Sequence, residues 1–594
     1  GTDQSSFDVS GDVSLVTNDG LRATGERATY TEAEKIVRVP GPVRFTRGRL
    51  SGTGVGFTYD EQRDTLWLLD QAHVMFGAEN GAAAMDVTAG AFGFARADRY
   101  MRFERSMHMV RDGQVIDAAE ATAHLFPDRD EPDVVELRGD ARVAGTPGSG
   151  ALRSMSARDM NLDYRDDGRS LQQATLAGDG DIQLGTKSGA VGQRLQGNNM
   201  TIVFADDDSV RALSARDRIV VTLPAPRGES ARSIRSTAVK ADGGAEGLTG
   251  MTFSEGVTYA EAATPTQGAR TARARSLEAS LDPRAGGLLE ARFSGDFRFE
   301  EGSLRATSAE AIYQIAQGEL SLTGKDGPAT PQLRDASLTI DADQIDVTLS
   351  PRRMVADGNV RSVIHASPKP TADGPAATRS GLLDKADPVN VIADKLTYDE
   401  TTKRGEYVGR ARLFQGATQI NADAITLDEG EGDLSAKGKV ITTLPIAERS
   451  AAAGAASASM VGRAGTFSYV EATRRATYQT TATLISVQSE LRADTLELFL
   501  APGENALERL EGTGTVRADV DKRVVTGTKL SYLPVDDKYV VVGAPVRMVD
   551  ADCQETTGQT LTFFKSSDRV VVDGNEEIRT QTKGGGKCPS APPQ

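Results

Sequence analysis

The stretch VNVIADKLTYDE (residues 389–400) has the composition of a β-strand, but its alternation of apolar and polar residues changes phase in the middle. Val391 and Ala393 share one face, and the next apolar residues are Leu396 and Tyr398. Because successive side chains of a strand point to opposite faces, this spacing would turn Leu396 and Tyr398 to the other face of a flat strand. A flat strand is therefore excluded, and the local backbone must absorb an extra residue.

The same phase change recurs along the chain in an eight-residue pattern: apolar, any, small, any, any, apolar, any, apolar. Clear copies include IDADQIDV from residue 340, INADAITL from residue 420, LRADTLEL from residue 491 and VTGTKLSY from residue 525. With weaker copies, about sixteen occur, most of them 29 to 40 residues apart. Tandem repetition at such a period predicts a stacked array of one structural unit.

A second half-motif follows most copies after a polar turn, as in MVADGNV (354–360), LSAKGKV (434–440) and LEGTGTV (510–516). Each is a short apolar alternation with a glycine near its middle, and glycine inside a strand marks a bulge or a bend. We therefore predict two strands per repeat, each bent at a corner. Stacked repeats would give two antiparallel sheets that meet along a spine of small residues, with an apolar trough between them.

The composition favours an all-β protein and argues against a nucleic-acid partner. The chain has 594 residues with a formal net charge of −16, 61 glycines and only 5% aromatic residues. Nucleic-acid binding would require basic stripes. No apolar run reaches the length of a membrane-spanning helix. The first residues do not resemble a signal peptide, so either a signal or anchor was removed or none existed.

Composition along the chain suggests four segments. We expect a repeat array over residues 1–365, a Pro/Ala/Gly-rich insertion over 366–388, a second array over 389–582 and an irregular tail over 583–594. Other loop-like stretches lie between copies of the motif and are interpreted as long turns. The insertion is the best candidate for a domain boundary.

No catalytic or metal-binding pattern occurs in the sequence, so we expect neither an enzyme nor a cofactor. The histidines, His73, His108, His124 and His365, share no metal-ligand spacing. The acidic cluster ADDDS (205–209) fits a solvated turn better than a calcium loop. The chain has two cysteines, and Cys553 and Cys588 either form a disulfide that ties the tail to the last repeat or are unrelated thiols.

The paired half-motifs resemble the OstA-like repeats of lipopolysaccharide-transport proteins, the LptA/LptC family. Residues 389–440 carry the Ile-x-Ala-Asp start, the short turn and the closing Gly-x-Val, and residues 21–68 are similar to the LptC version. The resemblance implies an elongated, V-shaped antiparallel β-jelly-roll whose apolar interior shields lipid acyl chains. It also implies a periplasmic bridge between the inner and outer membranes, either free or anchored through an upstream segment.

The resemblance further implies lipopolysaccharide or another acylated lipid as cargo. The implied protein partners are an inner-membrane ABC-transporter complex and an outer-membrane translocon, both reached through end strands. The residues predicted to line the lipid-binding groove are Ile340, Ile345, Val347, Val391, Leu396, Tyr398, Ile420, Ile425, Leu427, Leu491, Leu496 and Leu498. Two alternatives remain open: a structural β-rod whose apolar residues form only a dry core, and a polysaccharide-binding β-solenoid.

Overall fold

The structure is a computed structural model of the whole chain. It describes residues 6–78, 84–111, 113–145, 152–186, 189–225, 229–265, 267–324, 330–366, 381–384, 386–448, 459–487, 489–502, 506–564, 567, 569–574 and 581–583. The chain divides into two compact units, one comprising Gly1–Gly302 with Ile312–Ala316 and the other Ser303–Ala311 with Gln317–Gln594. We call them unit 1 and unit 2.

Unit 1 is built from consecutive β-strands. They are β1 (Ser6–Val16), β2 (Arg22–Thr31), β3 (Ile36–Arg47), β4 (Leu50–Asp60), β5 (Thr65–Phe76), β6 (Met85–Ala89), β7 (Ala91–Ala95), β8 (Tyr100–Arg111), β9 (Gln114–Leu125), β10 (Pro132–Ala144), β11 (Leu152–Tyr164), β12 (Leu171–Gly185), β13 (Val191–Phe204), β14 (Val210–Leu223), β15 (Arg232–Gly244), β16 (Gly247–Glu261), β17 (Arg270–Leu281) and β18 (Leu288–Glu301). The next strand, β19 (Leu304–Gln314), contributes its last residues to unit 1 and its first residues to unit 2.

Unit 2 continues the same pattern. Its strands are β20 (Glu319–Thr323), β21 (Gln332–Arg334), β22 (Leu338–Asp341), β23 (Gln344–Leu349), β24 (Arg352–Ile364), β25 (Val389–Asp399), β26 (Arg404–Gln415), β27 (Thr418–Asp428), β28 (Asp433–Pro445), β29 (Ala447–Glu448), β30 (Ser459–Val470), β31 (Arg475–Ile485), β32 (Ser489–Leu500), β33 (Ala506–Val520), β34 (Arg523–Leu533), β35 (Lys538–Val549), β36 (Glu555–Phe564), β37 (Arg569–Asp573) and β38 (Gln581–Lys583). Single 3₁₀ turns lie at Glu471–Thr473 and Pro534–Asp536.

The predicted all-β, antiparallel fold class is confirmed. Within each unit, long strands pair with their neighbours in sequence, as in the antiparallel pairs β12–β13 and β26–β27. A two-residue contact between β29 and β33 is parallel. The clear copies of the eight-residue pattern lie on single strands, such as β25, β27 and β32, or on the broken pair β22–β23.

The phase change is a β-bulge in the neighbouring strand. Between β24 and β25, Val360 pairs with Ala393 and Asp357 pairs with Lys395, so two residues of β24 lie opposite one residue of β25. Those two residues, Gly358 and Asn359, both have left-handed backbones, with φ of 77° and 52°. Glycine adopts this conformation without steric cost, which is why the second half-motif contains it. The glycine-marked bulge predicted for the second half-motif is therefore confirmed, but the extra residue lies in that strand and not in the motif strand itself.

The bulges divide each long strand into two segments. We call half-sheet A the strand segments that carry the first three positions of the motif, together with the segments that pair with them. Half-sheet B consists of the strand segments on the other side of the bulges. In unit 2, half-sheet A includes 389–393, 411–415, 418–422, 440–445 and 482–485, and half-sheet B includes 395–399, 404–408, 424–428, 433–437 and 475–479. In unit 1, half-sheet A includes 107–111, 114–118, 257–261, 270–274 and 297–301, and half-sheet B includes 100–104, 120–125, 250–254, 276–281 and 288–294.

The aspartate of the motif packs onto the bulge glycine. A Cβ atom on Gly409 would lie 2.5 Å from Asp394 Oδ2. The residue after this glycine, Arg410, donates a hydrogen bond from Nη2 to Asp394 Oδ1 at 2.5 Å, and this contact lowers the pKa of Asp394. In the preceding repeat, Asn359 Nδ2 likewise donates to Asp343 Oδ2 at 2.9 Å. The Ala-Asp of one strand and the glycine of the next therefore form one structural element.

The predicted segment limits can be compared with the two units. The units divide at residues 302–317, inside the predicted first array. The predicted insertion 366–388 lies largely outside the described residues, but the strands on either side of it pair directly, with Ile364 opposite Val389. The insertion thus connects neighbouring strands of unit 2.

The C-terminal predictions fall mostly outside the described residues. Of the predicted tail 583–594, the structure describes only Lys583. Cys553 is disulfide-bonded. Its predicted partner Cys588 lies outside the described residues, so this pairing stays a prediction.

The tight packing at the small position of the motif can be tested with Gly527. A Cβ atom there would lie 2.6 Å from Val541 Cγ1 and 2.6 Å from the backbone oxygen of Val542. We expect Gly527→Ala to lower the free energy of unfolding by about 1–3 kcal/mol, because the crowding involves backbone that cannot move freely. Gly405→Ala is the matched control, since its Cβ would meet its nearest atoms at 3.7 Å. Equal denaturant midpoints for the two variants would contradict the corner model.

Candidate apolar binding cavity

The residues predicted to line a groove all lie in unit 2 and are all brought to its interior. Eleven of the twelve are buried with at most 7% exposure, and Tyr398 is half-buried. Ile340, Val391 and Ile420 come from half-sheet A, whereas Leu396 and Ile425 come from half-sheet B. The structure therefore groups these residues between the two half-sheets, where their own side chains fill the space. Lipid binding by them stays a prediction.

Tyrosine hydroxyls bridge the two half-sheets of unit 2. Ser362 of half-sheet A donates a hydrogen bond to Tyr407 Oη of half-sheet B at 2.8 Å. Thr442 Oγ1 and Tyr478 Oη are hydrogen-bonded across the same bend at 2.7 Å. The ring of Tyr478 also occupies the space where a side chain on Gly462 would lie. Burial raises the pKa of both tyrosine hydroxyls, so they remain protonated and available for these bonds.

A buried ionic cluster bridges the half-sheets of unit 1. Glu261 has a fully buried side chain and accepts hydrogen bonds from Arg232 Nε at 3.0 Å and from Tyr259 Oη at 2.6 Å. Arg270 Nη1 lies 3.4 Å from Glu261 Oε2 and donates to Tyr313 Oη at 2.9 Å. Burial, followed by the charge of Glu261, raises the pKa of Tyr313 to about 12.

The two sides of this cluster belong to different half-sheets. Arg270 pairs with Glu301 at one end of β18, whereas the backbone of Ile315 beside Tyr313 bonds to Leu289 at the other end. The two ends of β18 are separated by its bulge. Buried charges are stable only when paired, so this contact fixes the half-sheets against each other around β16–β19.

Unit 1 contains an apolar cavity between its half-sheets, around β6–β11. Its volume is about 90 Å³. Met107, Met109 and Ile116 line it from half-sheet A, and Met101 and Phe103 line it from half-sheet B. By contrast, the cleft beside Leu491 in unit 2 measures about 10 Å³. The unit 1 cavity is therefore the larger of these two spaces and is the candidate site for an apolar ligand.

Methionine side chains form a large part of the lining of this cavity. Four of the chain's 12 methionines line it: Met85, Met101, Met107 and Met109. Methionine side chains are unbranched and polarisable, so they adapt to ligands of different shape better than β-branched residues do. Sequence reasoning missed this site because none of these four methionines belongs to a copy of the motif. The local concentration of methionine between residues 75 and 109 was the available signal.

The structure holds no feature of a membrane span or metal site in its described parts. None of the helices that it describes has the length and hydropathy needed to cross a membrane. His, Cys, Asp and Glu side chains form no group suited to a metal ion within the described ranges. His73 and His108 instead contact Asp86 and Asp117 on exposed strand faces.

The bridge between Thr442 and Tyr478 yields a stability prediction. Tyr478→Phe leaves the fully buried Thr442 hydroxyl without its partner, and we expect a loss of about 1–3 kcal/mol in the free energy of unfolding. The double variant Tyr478→Phe/Thr442→Val removes both polar groups and should recover part of this loss. Denaturant unfolding measures both effects. A single variant as stable as the unmodified chain would show that the bridge does not hold the half-sheets.

Comparisons with solved structures give a partial likeness. A scan against family models finds no match, and a search of curated proteins finds none. Among solved structures, part of the chain is similar to LptH from Pseudomonas aeruginosa, the LptA homologous periplasmic component of the conserved lipopolysaccharide transport device. The two share 17% sequence identity, the match covers 19% of this chain and 76% of that chain, and the TM-score is 0.16. The similarity is thus a partial likeness between β-rich folds.

Proposed function

We propose that the protein binds the acyl chains of a lipid between its half-sheets and so shields them from water. The observation that carries this proposal is the apolar, methionine-lined cavity in the interior of unit 1. Burying an acyl chain there is favourable by about 0.8 kcal/mol for each CH₂ group. The outer faces of the same strands carry polar pairs and offer less of this gain, as at His108 and Asp117 in β8 and β9.

The proposed cargo is lipopolysaccharide or another acylated lipid, as the OstA-like motifs imply. The proposed place of action is the periplasm, as a bridge between the inner and outer membranes. Partner proteins, an inner-membrane ABC-transporter complex and an outer-membrane translocon, would add strands to exposed sheet edges. β1 supports this idea, because β2 is its pairing partner among the described residues and its Phe7 and Val9 side chains are about half exposed.

A second function, that of a structural β-rod, is favoured by the filled interior of unit 2. Leu396, Ile425 and Leu496 are completely buried by neighbouring side chains. A rod needs only this dry core, whereas a lipid carrier needs an interior that opens or is already open. The two functions therefore differ in what the cavity of unit 1 contains when lipid is present.

Site-specific photo-crosslinking separates these functions. We expect a benzoylphenylalanine at Met109 to capture lipopolysaccharide, because this side chain lines the cavity. The same group at Val110, the next residue of β8, should capture none, because Val110 lies on the outer face and is 39% exposed. Ile425 and Thr426 form a second inner and outer pair in unit 2. Adducts are detected by a mobility shift and by antibody against the lipid.

The contrast between adjacent residues is the control, because a protein that adsorbs lipid over its surface would label from both faces. Labelling at Met109 alone would support the proposal and place the lipid in unit 1. Equal labelling at Met109 and Val110 would contradict a specific interior site. Absence of labelling at both Met109 and Ile425 would contradict lipid binding and favour the structural β-rod.

A further inference from the structure

A second, polar cavity adjoins the apolar one in unit 1. Its volume is about 340 Å³, and the two cavities share lining residues that include Arg49, Phe76 and Met101. Arg47, Arg49, Arg96 and Arg129 contribute guanidinium groups to the polar cavity. A single elongated ligand could therefore have an apolar end among the methionines and a polar end among the arginines.

Arg47 is the residue that points to a ligand. Its side chain is only 6% exposed, and its Nη2 contacts Asp19 and lies 2.8 Å from both carboxylate oxygens of Asp64. Its Nε and Nη1 atoms are buried and have no hydrogen-bond partner among the described residues. A buried donor without an acceptor is costly, so these two donor nitrogens favour a ligand that brings acceptor oxygens.

The carboxylates around the cavity are already engaged by the arginines. Asp64 holds one edge of Arg47: burial alone would raise the pKa of Asp64, but the hydrogen bond and charge of Arg47 lower it below its ordinary value. Glu131 lies 3.1 Å from Arg129 Nε, and Asp130 lies 4.0 Å from Arg96 Nε. Arg49 is held more loosely, by a 3.4 Å hydrogen bond to the backbone oxygen of Asp130. Donors of Arg47 and Arg49 thus remain for a ligand.

We infer that the polar cavity binds an anionic oxygen group, a phosphate or a carboxylate, at the end of a lipid whose chain occupies the apolar cavity. This inference rests on the proposed function for the placement of the chain. Guanidinium groups form strong charge-assisted hydrogen bonds with such oxygens.

The test compares lipids of one chain length and different headgroups by calorimetry on the full chain at 0.15 M salt. The probes are oleoyl lysophosphatidic acid with a phosphate, oleate with a carboxylate and monoolein with a neutral headgroup. We expect at least one of the two anionic lipids to bind about tenfold more tightly than monoolein, which corresponds to one charge-assisted hydrogen bond. The anionic lipid with the larger preference identifies the group that the cavity accepts.

Variants then locate the preference. Arg47→Met and Arg49→Gln should each bring the affinity of the preferred anionic lipid close to that of monoolein. Arg44→Gln, on the exposed face of the same strand β3, should leave the ratio unchanged. The measured quantity is the ratio of the affinities for the preferred anionic lipid and for monoolein. A variant that weakens acyl-chain binding in general lowers both affinities and leaves this ratio unchanged. Arg49→Gln keeps the test decisive if Arg47→Met fails to fold after Asp64 loses its partner.

The headgroup inference and the proposed function fail in different ways. Equal binding of all three lipids overturns the headgroup site and leaves acyl-chain binding intact. A preference that survives in both arginine variants overturns the assignment to Arg47 and Arg49. Absence of binding by all three lipids overturns the proposed function. In that case, binding of inorganic phosphate tests the headgroup site on its own. A higher melting temperature in phosphate than in chloride of equal ionic strength, lost in Arg49→Gln, supports the site, and no rise overturns it.

Discussion

The structure depends on a backbone constraint: one strand of each pair must accommodate an extra residue where both strands bend. A bulge of two left-handed residues solves this, and Gly358 followed by Asn359 shows how. The aspartate of the adjacent strand then covers the glycine and binds the residue after it. Because the same solution recurs in successive repeats, as at Gly409 and Gly438, the bends align and the strands separate into two half-sheets.

Once two half-sheets exist, the contacts between them decide whether the interior is closed or open. Tyr407 and Tyr478 reach across the bend in unit 2 and bond to hydroxyls on the other side. In unit 1, Glu261 and Arg270 do the same with Tyr313. Where methionines such as Met101 and Met107 face inward instead, a cavity remains between the half-sheets. The same fold therefore forms a closed core in one part and an interior cavity in another.

The bends and the inward-facing residues could be predicted from the sequence, because both depend on patterns of neighbouring residues. Alternation places Val391 and Leu396 inside, and the glycine in the next strand marks the bulge. The partner of Asp394 could not be found this way, because Gly409 lies in a different strand and contributes no side chain. The volume of the interior could not be predicted from the sequence either. It depends on how side chains of opposite half-sheets meet, and periodicity carries no information about that.

The polar cavity shows why the most informative residues can lie outside a repeat pattern. Arg47 is the last residue of β3, outside the positions that the motif specifies. A long charged side chain is usually exposed, yet this one is buried beside the polar cavity, and two of its donor atoms have no partner among the described residues. The ion pairs with Asp19 and Asp64 use its Nη2 atom and leave Nε and Nη1 without a partner among the described residues. A ligand with both an apolar chain and an anionic end would account for both cavities together.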